Sequence, residues 1–223
     1  MSLLPQYTHI VNPKLKHIYL SFDDLGGLII KSPKVSQKRI EQLLLKKAAW
    51  ITKSRKKLGE KKGKCLDFSG ETKLYFKGEA YTFTLVWHEK KRVQLHFESH
   101  RFTLFYHHYD ERLFQKHIDL FYKKEAASYI PSLVNTWAKT MGVLPNKLSF
   151  RKTKRQWGSC SVKNDLSFNT MMMKLPKDVI QYIIVHELAH ITHKHHQKAF
   201  WERVEAYLPA YKTQVKELKN YTT

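Results

Sequence analysis

Asp178-Val179-Ile180-Gln181-Tyr182-Ile183-Ile184-Val185-His186-Glu187-Leu188-Ala189-His190 is the stretch on which the reading of this chain turns. It contains no Pro or Gly, and Pro176 stands just ahead of it, where a first helical turn tolerates the missing N–H. Val179 and Ile183, with Tyr182 and Leu188 near the same face, give the apolar spacing of a buried helix. Residues four apart on such a helix lie about 40° apart around the axis and about 6 Å along it. His186 and His190 therefore point together and can grip one metal ion. Glu187 sits beside them, placed to take a proton from water and not to replace a ligand. Two imidazoles on one helical face, an adjacent carboxylate and an open coordination position form the arrangement of zinc hydrolases. Two imidazoles on an otherwise apolar helix also need partners, which a cation supplies.

A third ligand must come from chain that has turned back. His193 continues the helical line about 4.5 Å beyond His190, and three His in a row cannot converge on one ion with bonds near ~2 Å. His195 and His196 both follow before the next helical segment. His196 is the favoured ligand and His195 the second choice, leaving His193 behind the ligands or facing substrate. The metzincin pattern has a Gly where this chain has His193, so the turn is expected around Lys194 and His195 without one. Cys160 reads as a small buried residue in preference to a further ligand.

His186-Glu187-Leu188-Ala189-His190 through His196, Phe200 and Trp201 resembles the YgjP-like metal-dependent hydrolases, whose pattern runs H-E-L-x-H, five residues, His, three residues, Phe-Trp. The upstream Trp157-Gly158-Ser159-Cys160 and Leu166-Ser167-Phe168-Asn169 segments, and Leu208-Pro209-Ala210-Tyr211 downstream, fit the same pattern. Gln156 stands where the family commonly has a basic residue. The resemblance is strong over residues 150–212 and lies only in hydrophobic pattern before that. It implies a zincin-like peptidase related to the SprT-like and WLM groups, with one Zn2+ per chain on His186, His190 and His196 and with Glu187 as catalytic base. Because SprT-like relatives include proteases acting on proteins attached to DNA, it also implies a DNA-proximal protease as an alternative. Metal-dependent hydrolysis of a non-peptide or nucleic-acid-associated substrate is the other.

Peptide hydrolysis at such a site uses a strand edge to hold an extended substrate by its backbone. Trp157, Gly158 and Ser159, or the strand ending at Asn169, are the candidates for that edge. His193, His195, Arg155 and Tyr211 are candidates for transition-state or substrate contacts. Phe200 and Trp201 are expected to cover the metal helix as core, and Met171 to Met173 to fill gaps in it.

At 42% hydrophobic and 26% charged residues the chain is globular. Two Cys make no disulfide framework. Met1 to Asn12 lacks the basic start and apolar run of a secretion signal, and no apolar stretch is long enough to span a membrane, so a cytoplasmic protein is expected. Forty Lys and Arg against 19 Asp and Glu give a net charge of +21. A field of that size attracts polyanions, so non-specific nucleic acid joins a protein or peptide substrate among the expected partners. Oligomeric state is left open.

The fold class expected is α+β, with a mainly antiparallel β-rich region over 1–108 and a helical zincin-like domain with a small sheet over 109–223. In the first part, His17–Phe22 and Leu28–Lys31 form a hairpin around Asp23–Gly27. One helix runs from Ser36 to about Lys57, and a Lys- and Gly-rich loop runs from Leu58 to Gly63. Four strand-like runs follow between Lys73 and Tyr106, and their alternation places Tyr75, Phe83, Trp87 and Phe97 in a sheet core. In the second part, a long helix over Leu113–Thr140 with Leu120, Ala127, Leu133, Val134 and Trp137 inward is expected to kink or divide at Pro131. Strands at Leu148–Lys152 and Leu166–Asn169 flank a turn at Trp157–Cys160. Helices at Ala199–Tyr207 and from Pro209 to Lys219 close the chain.

Overall fold

Alternation of apolar residues at Leu28 and Ile30 makes β3 (Leu28–Ser32) the centre of the first sheet in the computed structural model, which describes residues 4–23, 26–60, 62–63, 66, 68 and 72–222. β2 (Tyr19–Phe22) pairs with β3 antiparallel, as the hairpin reading expects. Asp23 N–H donates to the Gly27 carbonyl at 2.9 Å, while Asp24 and Leu25 of that turn lie outside the described residues. β1 (Tyr7–Val11), which the sequence reading missed, runs parallel to β3 on its other side. Leu28 and Ile30 pack with Ile40, Leu44 and Ile51 in a small core. The single helix expected over 36–57 is two: α1 (Gln37–Lys46) and α2 (Ala48–Glu60), parted at Lys47, whose φ of −102° and ψ of 6° leave the helical basin. The start of the expected Lys- and Gly-rich loop is thus helical through Glu60; Lys61 lies outside the described residues.

The chain divides into two compact units, Met1–Cys65 and Leu66–Thr223. A boundary at 108 runs through the second unit, because the sheet between 72 and 106 shares one hydrophobic core with everything that follows it. That sheet has the order β4-β5-β7-β6, from β4 (Thr72–Phe76), β5 (Glu79–Trp87), β6 (Gln94–Glu98) and β7 (Arg101–Tyr106). The β5–β7 pair is parallel and the others antiparallel. Phe76, Phe83 and Phe102 are buried on its inner face. Trp87 departs from expectation. It sits at the end of β5, 57% exposed, with its indole N–H donating to the His107 carbonyl.

α3 (Glu111–Met141) begins at Asp110, whose carboxylate accepts from the N–H groups of Arg112 and Leu113, and ends at Gly142 in a left-handed cap. It continues through Pro131 without division. Its buried residues fall every four positions, at Phe114, Ile118, Tyr122, Ala126, Ile130, Val134 and Ala138. Spacing of four against a 3.6-residue turn moves the buried stripe about 40° around the axis at each step, so the helix buries different sides along its length. The single inward face expected from the sequence includes Leu120, which is exposed instead.

A second sheet of order β8-β10-β9 follows, from β8 (Leu148–Arg151), β9 (Gly158–Cys160) and β10 (Leu166–Asn169). Where a turn is expected, residues 158–160 form an edge strand antiparallel to β10. A 3-10 turn at Thr170–Lys174, with Met171, Met172 and Met173 buried, leads to α4 (Lys177–Thr192), then α5 (Lys198–Tyr207) and α6 (Tyr211–Leu218). No helix among the described residues is long and apolar enough to cross a membrane.

The tip of the β4–β5 hairpin anchors the start of α4. Lys77 and Gly78 donate their N–H groups to the carbonyls of Met173 and Lys174. Gly78 has φ +93°, and a Cβ there would lie 2.9 Å from Pro176 Cα. Gly78→Ala combines a left-handed penalty with a clash against backbone and should cost about 2 kcal/mol, lowering Tm by roughly 4–8 °C. Thermal unfolding followed by circular dichroism checks this; an unchanged Tm would show that the hairpin tip does not brace α4.

Candidate metal centre

α4 is buried nearly all round, with Val179, Ile180, Ile183, Ile184, Val185, Leu188 and Ala189 packed away from water. Such a helix lies at the middle of a fold, and here it carries His186, Glu187 and His190 inside. It ends at Thr192, where His193 turns extended at φ −127°. The chain reverses over 193–197 with no residue at positive φ, so the missing Gly is not needed. This reversal brings His196 Nε2 to 3.0 Å from His186 Nε2.

His186, His190 and His196 offer ring nitrogens that all lie within 4.8 Å of one another. A tetrahedral ion with bonds near ~2 Å needs its ligand atoms about 3.3 Å apart, and the His186–His196 pair, at 3.0 Å, is near that separation. Tautomers agree with this. His190 Nδ1 donates to the His193 carbonyl at 3.0 Å, which leaves its Nε2 lone pair free. His186 Nδ1 lies 3.4 Å from the Tyr182 hydroxyl, on the side of the ring away from His196. The three residues present therefore fit a divalent cation. Among the described residues no Cys, carboxylate or fourth His joins the group.

Aromatic rings set the floor and wall of the cluster. Fully buried Phe200 packs against all three imidazoles, with centroids 4.9, 4.5 and 4.7 Å from His186, His190 and His196. Trp201 stacks on His196, Tyr211 stacks on Trp201, and Tyr182 stacks on Tyr211 and returns edge-on to His186. Burial drives the His186 pKa down to about 3, with His190 and His196 adding to the effect, and burial lowers His190 as well. Both rings are neutral at physiological pH, the state that binds metal. Burial pushes the Glu187 carboxyl up to about 8 and the Tyr182 hydroxyl up to about 12.

Glu187 faces β9. A Cβ on Gly158 would lie 2.7 Å from Glu187 Oε1, so only Gly lets the strand pass so close. β9 pairs with β10 along one side and is the outer strand of its sheet. Trp157, Gly158 and Ser159 are half-buried there. Asn169 is not part of this edge. It lies buried in the central strand, where its amide N–H2 donates to the carbonyls of Thr153 and Gln156 and its oxygen accepts from Met171 N–H. Its work is to fold the loop that delivers β9.

The remaining candidates separate clearly. His193 contributes a backbone carbonyl to His190. His195 is exposed on the reversal, and Arg155 is exposed on the loop before β9, outside the cluster. Tyr211 belongs to the ring stack. Cys160 is half-buried, and burial raises its thiol pKa, so it stays protonated. Sequence reasoning missed Tyr182 and Lys194. Tyr182 lies four residues before His186, a spacing that signals a shared face. Lys194 left no signal. Its ammonium donates to Asn164 Oδ1 at 2.7 Å and to the Ser161 carbonyl at 3.1 Å, tying the reversal that carries His196 to the β9–β10 hairpin.

A comparison with solved structures finds the metallopeptidase zymogen of Pyrococcus abyssi abylysin, 22% identical, covering 42% of this chain and 99% of its own, with a TM-score of 0.37. Another is the metallopeptidase zymogen of Methanocaldococcus jannaschii jannalysin, 24% identical over 40% of this chain and 91% of its own, with a TM-score of 0.36. No curated protein matches. The model of the YgjP-like metallopeptidase domain matches residues 16–221, nearly the whole length, and the chain belongs to that family.

Proposed function

We propose that this chain is a zinc-dependent peptidase in which His186, His190 and His196 hold the metal and Glu187 is the general base. The observation that carries the reading is the convergence of three imidazoles, two with Nδ1 engaged away from the cluster, beside a buried carboxylate that faces a strand edge. When bound, a divalent cation would polarise the scissile carbonyl, lower the pKa of water and offset the burial that keeps Glu187 protonated.

The chain's own residues do the rest. The outer edge of β9 receives an extended peptide by backbone hydrogen bonds, as an added strand. Glu187 takes one proton from the attacking water on a carboxylate oxygen as the new C–O bond forms at the carbonyl carbon. It then returns that proton to the amide nitrogen, the C–N bond breaks, and a carboxylic acid and an amine leave. Phe200 and Trp201 keep water from the flank of the imidazoles, and Tyr182 and the His193 carbonyl hold two rings in the tautomer with Nε2 inward. Three neutral ligands also favour this chemistry over magnesium-dependent phosphoryl hydrolysis, which calls for carboxylate oxygens.

Replacing Glu187 with Gln removes the base and leaves the imidazoles. The variant should keep wild-type metal content by elemental analysis and lose about 10²–10⁴-fold in kcat on a fluorogenic peptide library; full activity would overturn the base assignment. His196→Ala should bind metal less tightly by tenfold or more in a chelator competition, and chelation of the wild-type protein should abolish cleavage until zinc is restored. An undiminished affinity would instead favour His195 as third ligand. Gly158→Ala should displace Glu187 and lower kcat by tenfold or more at unchanged metal content. If Gly158→Ala cleaves normally, β9 does not set the position of the carboxylate.

A further inference from the structure

The residues named for the peptidase site all belong to the second unit, and the first unit carries a charge excess of its own. Residues 1–65 hold 15 of the 40 Lys and Arg but 4 of the 19 Asp and Glu, an excess of eleven positive charges. The excess is concentrated. Between Glu41 and Glu60 there is no carboxylate, and Lys46, Lys47, Lys53, Arg55, Lys56 and Lys57 all fall in that interval. All six are exposed, and none makes an ion pair among the described residues.

The helix sets their geometry. α2 turns Ile51 into the core, with Ser54 and Leu58 half-buried on the same side. Lys53, Lys56 and Lys57 lie opposite, within about 100° of arc, and Lys53 to Lys57 rises about 6 Å. Trp50 flanks them, 44% exposed and leaning on Phe22 at 5.9 Å. Like charges at such spacing repel and weaken a helix. A linear array of anions along the stripe would relieve that repulsion.

We propose that this face of α2 binds the phosphate backbone of a polynucleotide without reading its sequence. A nucleic-acid strand presents a row of charges of this kind, and release of its counterions supplies the free energy. Lysine ammonium groups are point charges suited to phosphate and carry little base information. An anionic membrane is the weaker fit: the apolar side of α2 is spent in the unit's own core, leaving no broad apolar face to enter a bilayer. The proposal does not depend on the peptidase reading.

The test uses the full chain and fluorescence anisotropy of a labelled DNA duplex of about 20 base pairs, titrated between about 50 and 200 mM NaCl. Wild-type binding should weaken steeply with salt. K53A/K56A/K57A should bind at least tenfold more weakly at fixed salt, and the slope of log Kd against log salt should fall by about 2–3, near 0.9 for each phosphate that no longer meets an ammonium. K56Q/K57Q should lose less, in the same direction. K90A/K91A/R92A removes the same charge from an exposed turn of the second unit and should stay within threefold of wild type. Circular dichroism should show all variants folded, since each change is at an exposed position. The proposal fails if wild type shows no salt-dependent binding, if the control triple costs as much as the α2 triple, or if vesicles of anionic phospholipid are bound more tightly than the duplex.

Discussion

The constraint on which the second unit depends is that α4 is buried on nearly every side yet carries two imidazoles and a carboxylate inward. Polar groups so placed must find partners or the helix cannot stay where it is. Much of the local architecture meets that demand. The His193 carbonyl, one turn beyond His190, takes its Nδ1 proton. Tyr182, one turn before His186, stands beside the other Nδ1. Phe200 packs on all three rings at once, so the cluster is fixed by α5 as well as by α4. What remains is the set of converging inward nitrogens, two of them 3.0 Å apart, and that is the feature a cation fits.

The return of His196 follows from how α4 stops. Nothing in the reversal needs a left-handed residue, and His193 leaves the helix by turning extended. The reversal is held from within by the Gln197 N–H donating to the His195 carbonyl, and from outside by a lysine. Lys194 reaches the carbonyl of Ser161 and the side chain of Asn164. The same ammonium fixes the far end of β9, so the imidazole and the strand edge are positioned by one cation on the protein itself.

Local patterns that carry their own chemistry were legible in the sequence. The bounds of α4, the strands of the four-stranded sheet and the burial of Met171 to Met173 all follow from periodicity and composition. What escaped depends on partners far along the chain. β9 is three residues long and contains Gly, so alone it reads as a turn; pairing with β10 makes it a strand. β1, with Thr8 and Ile10 both exposed, is a strand only because β3 lies beside it. The buried stripe of α3 winds around the helix, and no single-face template can find it. The unit boundary at 65 is invisible locally because the sheet over 72–106 takes its core from residues that come later. Within the site, Tyr182 could have been found from its spacing to His186. Lys194 could not, since only the folded hairpin shows what it reaches.

Glu187 is the costliest residue in this arrangement, and its neighbours explain how the fold keeps it. Burial raises its carboxyl pKa to about 8, while the same burial holds His186 down at about 3. The signs run opposite ways. A carboxyl raised in the fold favours folding only while protonated, so its penalty grows as pH rises from about 4.5 towards 8. An imidazole lowered in the fold is penalised as pH falls from about 6.5 towards 3. Near neutrality the protein alone therefore holds an uncharged cluster, with protonated Glu187 and neutral His186, which is the state an apolar surround tolerates. Gly158 completes the accommodation by giving the carboxyl the volume that a side chain at position 158 would take. A divalent cation held by His186, His190 and His196 would meet neutral imidazoles, and its charge would favour the ionised form of the nearby carboxyl.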